Sequence, residues 1–540
     1  MHQVLLIDEI VRYIFDICDE EDHCSLGLLA RCCRAWKDPA LDILWRRLPS
    51  TAPLFCLIPG VVEKDGTFSI ERTVDVTSEE LEPFYYYAIR VKSIVHRHQR
   101  AVEPLLISLL QTVSCPGHVH ILPKLARVHI SVSNWDALTM ATSLSDKLHH
   151  LTLDLGFNKA RTYTKGWSND IVAAEYLEKV ARTTSLQRLD LRGMALGPDR
   201  LNRILTSMKS LRVLSLATGK SLTVNTLTAI AVLPCLSELE IHAGHIDADE
   251  FADSTTVHES PLFPSLEILH IRAQAPLVDF LLQKMPSDNL MRLTIEAAQP
   301  VQPPSIWASA FSLISDKTCN SLRELTVEHH MDPAIETDSN SDNILPRANI
   351  LESRNQFTIA TLRPLANLPH LRRLVMETTV APDLCDADIE ELAKWWPVIE
   401  HLDLGGLLSD IECLGELRKS RASLRCLQGL SRLCPRLDTL VINLDINYAD
   451  ASDAKPIHVP LLSRHPLRRL TMGSISAPEP LRLSQYLHGV FPSLIEVEGV
   501  LAHEEEWRMV QSTLHDLQKP RGSIDTLAKS NLSLQNSLRR

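Results

Sequence analysis

Glycine is scarce in this chain, 18 in 540 residues, and none of it forms a G-x-G-x-x-G fingerprint. Without that turn no dinucleotide site is expected. Gly219-Lys220-Ser221 has the last residues of a phosphate-binding loop, but Leu214 stands where the loop's first glycine belongs. The chain also lacks G-x-S-x-G and H-E-x-x-H, so a serine nucleophile elbow and a zinc-protease helix are both missing. Its 12 cysteines contain no C-x-x-C pair and sit mostly among leucines, which makes them structural thiols. His96 and His98, His149-His150 and His329-His330 lack a third ligand at metal-site spacing. No run of eighteen apolar residues occurs, so no membrane span is expected. Positive charge is short: the formal charge is −12, which argues against nucleic acid. The opening residues place Asp8 and Glu9 where a signal peptide keeps a cationic and then apolar run. The expectation is therefore a protein of the cytoplasm or nucleus, without cofactor and not an enzyme.

What the chain does have is a repeated phrase. Thirteen times between Leu125 and Val497 an aliphatic residue is followed by two variable residues, a second aliphatic, a variable residue and usually a third aliphatic. Leu148-Leu151-Leu153, Leu211-Leu214-Leu216, Leu322-Leu325-Val327 and Leu437-Leu440-Ile442 are clear copies, and the last copy has Gly499 in its third position. Seven copies are preceded by an apolar residue or Cys and then proline, as in Leu233-Pro234, Trp396-Pro397 and Phe491-Pro492. Proline ends a helix and biases its predecessor to extended geometry. Helical periodicity comes before it, at Leu227-Ile230-Leu233 for instance, and period-two alternation after it. Each unit thus reads as helix, proline stop and short strand, repeated every 23 to 49 residues.

Units of this kind stack into a solenoid because one alone cannot bury its apolar side. The phrase resembles the leucine-rich repeat family, whose pattern is L-x-x-L-x-L. The family's Asn or Cys three positions after the third aliphatic is replaced here by Gly156, Met194, Gly219 and others. The predicted fold class is α/β, with parallel strands on a concave face and helices outside. A large α/β domain with a doubly wound parallel sheet is the alternative. Strand residues between the aliphatics point out of the concave face: Arg188, Asp190, Glu238, Glu240, His270, Arg292, Glu324, Arg373, His401, Asp403 and Arg469. Their mixed signs suit a protein target better than a polyanion.

The first fifty residues follow other rules. Ile7, Ile10, Ile14 with Phe15, and Ile17 with Cys18 are expected on one face of a first helix, with Asp8 and Glu9 in its first turn. A second helix is expected from Ser25, aligning Leu28, Leu29, Cys32, Cys33 and Trp36, until Pro39 interrupts; Leu41, Leu44, Trp45 and Leu48 make a third. Three short helices cannot bury so many large side chains among themselves, and the excess asks for a partner. Leu6-Ile7-Asp8-Glu9-Ile10, Cys33-Arg34-Ala35-Trp36 and Leu44-Trp45-Arg46-Arg47-Leu48 resemble an F-box, with Ile7 in place of the family's proline. With Phe84 to Lys92 following, the layout is similar to large F-box proteins common in mushroom-forming fungi. The resemblance implies the substrate-recognition subunit of an SCF-type cullin–RING ubiquitin ligase. It implies a Skp-type adaptor, and through it cullin, held by Leu6, Ile7, Ile10, Ile14, Leu29, Cys33, Trp36, Leu44 and Trp45. A solenoid binding an unnamed protein target would complete the receptor. The alternative is a leucine-rich-repeat scaffold independent of ubiquitination, with residues 1–48 capping the solenoid.

The expected organisation is a helical F-box-like domain at 1–48, a linker or capping region at 49–100, and the solenoid at 101–515. A loop insertion is expected at 334–356 and a disordered polar tail at 516–540.

Overall fold

The computed structural model describes residues 4, 7–21, 25–64, 66–70, 77, 79–96, 101–103, 105–106, 108–109, 120–131, 142–156, 169–193, 196–219, 222–255, 261–298, 302–331, 356–406, 420–446, 465–474, 477–500 and 503–519. The chain divides into two compact units, Met1–Leu266 and Glu267–Arg540.

The first unit opens with three helices: α1 (Asp8–Glu21), α2 (Ser25–Cys32) and α3 (Arg34–Leu44). Val11, Phe15, Leu26, Ala40 and Ile43 form their core, with Cys18, Leu29, Ala30, Trp36 and Leu44 packed against it. The break between α2 and α3 falls at Cys33, not at Pro39. Cys33 is extended (φ −156°, ψ 165°) and its carbonyl accepts from the amides of Trp36 and Lys37, which starts α3. Pro39 lies buried inside α3, where its ring removes a single backbone hydrogen bond. Leu48 belongs to a strand and not to a third helix.

That strand, β1 (Arg47–Leu48), is the first rung of a parallel ladder. It pairs with β4 (Ser93–His96), which pairs with β6 (Arg127–Ile130). The ladder continues through β7 (His150–Asp154), β8 (Arg188–Arg192), β9 (Val213–Ala217) and β10 (Glu238–His242). The repeat therefore begins at residue 47 rather than 101, and the span read as linker supplies the second rung. Between these rungs, α4 (Ala52–Phe55) and α5 (Glu82–Ala88) accompany a small sheet of β2 (Val61–Lys64), β3 (Thr67–Ile70) and β5 (Ala101–Val102).

Among its described residues the second unit holds eight parallel strands in sequence order: β11 (Ile268–Ala273), β12 (Arg292–Ala297), β13 (Glu324–His329), β14 (Arg373–Thr378), β15 (His401–Leu404), β16 (Thr439–Asn443), β17 (Arg469–Gly473) and β18 (Glu496–Val500). Helices intervene at Ala275–Lys284, Trp307–Thr318, Asp386–Trp395, Arg425–Leu433 and Pro480–Val490. The helix Glu504–Gln518 closes the unit, so Asp516–Gln518 are helical rather than part of a tail. The expected insertion at 334–356 lies outside the described residues except for Gln356, and so does the tail beyond Lys519.

In each unit the architecture is that of a leucine-rich-repeat-like solenoid. The aliphatics of the phrase stack in register, so Leu151, Leu189, Leu214 and Leu239 are Cα partners strand to strand, as are Leu293, Leu325, Leu374 and Leu402. All eight are at most 3% exposed, which puts the core between strands and helices. The prolines have a definite place in this repeat. In Trp396-Pro397-Val398-Ile399 and Cys434-Pro435-Arg436-Leu437 the last amide donates to the first carbonyl at 3.1 Å in both, a β-turn with proline second. The turn reverses the chain between helix and strand and delivers the phrase's first aliphatic into the core.

Candidate interaction surfaces

The helical subdomain has two apolar faces on α1, not one. Val11, Phe15 and Cys18 turn into the core, while Ile7, Ile14 and Ile17 are 45%, 36% and 43% exposed and Ile10 is half-buried between them. The spacing 7, 10, 14, 17 is one helical stripe. Tyr13 and Leu28 are also bare, at 69% and 67%. Neither stood in the sequence-derived adaptor set, because helical period locates a face without saying what covers it.

The other members of that set are placed differently. Leu29, Trp36 and Leu44 pack against the subdomain's own core, and Trp36 meets Phe15 edge-on at 5.7 Å between centroids. Cys33 is the half-buried residue ahead of α3. Trp45 stacks on Tyr87 of α5 at 4.4 Å. These five are scaffold first, and whatever they present to a partner is one edge of the side chain. Leu6 lies outside the described residues.

A polar clasp fastens the subdomain to α5 and the ladder. Arg90 pairs with Asp42 and, at 2.7 Å, with Asp38. Asp42 also takes Arg12 of α1 at 2.9 Å, and Tyr86 donates to Asp38 at 2.8 Å. Arg90 further lies 4.6 Å from the centre of the Tyr86 ring. The Tyr86 hydrogen bond, ahead of the Arg90 interactions, holds the Asp38 carboxyl below its ordinary range. Arg46 reaches back to Asp16 and Asp19 of α1 at 2.7 and 3.1 Å.

The second surface is the sheet face opposite the aliphatic core. Arg188, Asp190, Glu238 and Glu240 lie on it in the first unit; His270, Arg292, Glu324, Arg373, His401, Asp403 and Arg469 lie on it in the second. Each alternates with buried aliphatics, and each is half-buried or exposed. In the first unit Asp190 is a hub: it accepts from His150 at 3.1 Å, Thr152 at 3.1 Å and Arg188 at 3.0 Å. Burial alone would raise its carboxyl, but these bonds win and bring it to about 2. Ser215 donates to Glu240 at 2.8 Å on the next strands.

In the second unit the face is graded along the strands. Arg292, Arg373 and His401 occupy one row of Cα partners with Glu324, and Glu296, Glu328 and Glu377 occupy another. Between them run Thr294, Thr326 and Val375, of which Val375 is 6% exposed. Burial, then Glu377 and Glu296, raise the Glu328 carboxyl; burial chiefly raises Asp403. Burial also lowers His401 to about 4, helped by Arg373 and Arg469, so its ring is neutral at pH 7. The side chains on this face are of both signs.

Among the described residues no helix is long and apolar enough to cross a membrane. Among them, too, no three His, Cys, Asp or Glu are grouped to hold a metal ion. No family model matches the sequence. No curated protein matches it. Among solved structures 72 chains match. One is from the crystal structure of the Rad7 and Elc1 complex in yeast, 13% identical, covering 76% of this chain and 91% of that chain at a TM-score of 0.38. A likeness at that level assigns this chain no function.

Proposed function

We propose that this chain is the substrate receptor of an SCF-type cullin–RING ubiquitin ligase. In this reading α1–α3 grip a Skp-type adaptor, and the open sheet faces bind a protein target. The chain contributes no catalytic residue. It raises the target's effective concentration beside the ubiquitin-charged enzyme, which is a matter of proximity and orientation. The supporting observation is the bare stripe of Ile7, Ile14 and Ile17 with Tyr13 and Leu28, on a subdomain whose core is already filled by Val11, Phe15, Leu26, Ala40 and Ile43. Apolar side chains in excess of a filled core mark a protein-binding surface. The resemblance of Cys33 to Trp36 and Leu44 to Leu48 to an F-box supports a Skp-type adaptor as that partner.

One observation favours a second reading. β1 pairs with β4, Arg90 pairs with Asp42 and Asp38 of α3, and Arg46 pairs with Asp16 and Asp19 of α1, so the helices are fixed to the first rung as a cap would be. A leucine-rich-repeat scaffold independent of ubiquitination would use them that way. Co-expression with a Skp-type adaptor and size-exclusion chromatography separate the two. Co-elution of the full chain and the adaptor is the expected result; a folded chain that ignores the adaptor establishes the scaffold.

A further inference from the structure

The last copy of the repeat is imperfect, and the structure explains how the imperfection is used. Gly499 stands where the phrase has its third aliphatic and is the Cα partner of Met472 on β17. A Cβ built on Gly499 runs into the Trp507 indole, whose side chain is 3% exposed. Trp507 thus fills the slot that the missing aliphatic leaves. It comes from the terminal helix Glu504–Gln518, which is preceded by His503 in the left-handed region (φ 64°).

The same helix occupies the hydrogen-bonding edge of β18. The Gln511 side chain accepts from the Val497 amide at 2.6 Å and donates to the Ile495 carbonyl at 2.7 Å. In a parallel ladder, a residue opposite Glu496 on a following strand would accept from the Val497 N–H and donate to the Ile495 C=O. One primary amide reproduces both bonds. Gln518 satisfies the Leu494 carbonyl one step further along, at 2.5 Å.

We propose that the terminal helix is a strand substitute that denies the β18 edge to a second copy of this chain. Gln511 supplies the backbone's share of the next rung and Trp507 the side chain's share. An uncovered edge with unpaired N–H and C=O groups is a template for another strand. Glu496 and Glu498, alternating on the open face of the same strand, are the kind of edge charge that opposes self-pairing. Helix and charges thus guard against one occupant, the same edge of another molecule paired across a two-fold axis.

The test uses the full chain. Gly499→Leu restores the repeat phrase and ejects Trp507, and the expected result is a species of twice the parent mass by analytical ultracentrifugation. Mixing G499L with G499L carrying Glu496→Lys and Glu498→Lys enriches mixed dimers over either parent dimer. A G499L chain with its terminal helix released, by amide exchange, but at parent mass overturns the proposal; so does association indifferent to the charge reversal. Gln511→Leu, which keeps the helix packed through Trp507, is expected to speed exchange of the Val497 amide by at least about fivefold. Unchanged exchange there removes the strand-substitute role whatever G499L does.

Discussion

Replacing Phe15 by alanine and, separately, its neighbour Ile14 by alanine should have consequences of very different size. Phe15 is 2% exposed, and its ring meets Trp36 edge-on at 5.7 Å within the cluster of Val11, Leu26, Ala40 and Ile43. Removing a buried Phe costs the transfer energy of the ring and a cavity, about 3–5 kcal/mol. A core of three short helices supplies roughly that much stability itself. Ile14 is 36% exposed and leaves no cavity, so its loss costs under about 1 kcal/mol. Amide exchange over residues 8–44 reads both. Protection should fall roughly a hundred- to a thousandfold in Phe15→Ala and by less than about fivefold in Ile14→Ala. Equal loosening by the two variants would refute the division of α1 into a filled face and a bare one.

Three further outcomes follow from the geometry. His329, His401 and His465 are all held below the ordinary value of 6.5, chiefly by burial, so the folded chain keeps them neutral where the unfolded chain takes up protons. Their effect on the melting temperature is therefore nil above about pH 7 and destabilising as pH falls below 6.5; a scan in which the melting temperature rises as pH drops through that window contradicts it. Asp190→Ala strands His150, Thr152 and Arg188 without their shared acceptor; urea unfolding should show a loss of about 1–3 kcal/mol from the first unit. Gly406→Ala drives a Cβ to 2.6 Å from the Ala381 backbone nitrogen, and thermal unfolding should report about 1–3 kcal/mol of destabilisation in the second unit.

The solenoid was legible in the sequence because every rung buries the same positions with the same period, and register keeps them aligned. Its first rungs were not legible. Val91-Ile94-His96 is a copy of the phrase, with Val91, Ile94 and His96 all at 0% exposure, but a histidine in third place hides it. His96 is accommodated there because its Nε2 meets the Ser143 hydroxyl at 3.0 Å, a partner 47 residues away that no local pattern signals. The helix break was misplaced for a similar reason. Pro39 is the conspicuous breaker, yet the backbone turns at Cys33, whose extended geometry leaves no mark in composition. Alternation correctly placed Arg188 to Arg469 on the open face, since period two fixes the side of a strand. In α1 the period fixed a set of apolar residues but not which of them the neighbouring helices cover. That depends on α2 and α3 crossing over Val11 and Phe15, which only the packing reveals.

The most direct test of the adaptor surface is the affinity of a purified Skp-type adaptor for the full chain and for its Ile14→Glu, Leu28→Glu double variant. Both side chains are bare and outside the core, so the variant should keep its amide protection across residues 8–44. Placing one charge in the α1 stripe, at Ile14, and one on the bare Leu28 of α2 should weaken binding at least about tenfold. Equal affinity of the two chains, with both folded, would contradict a grip through this stripe and hand the helices to the role of a solenoid cap.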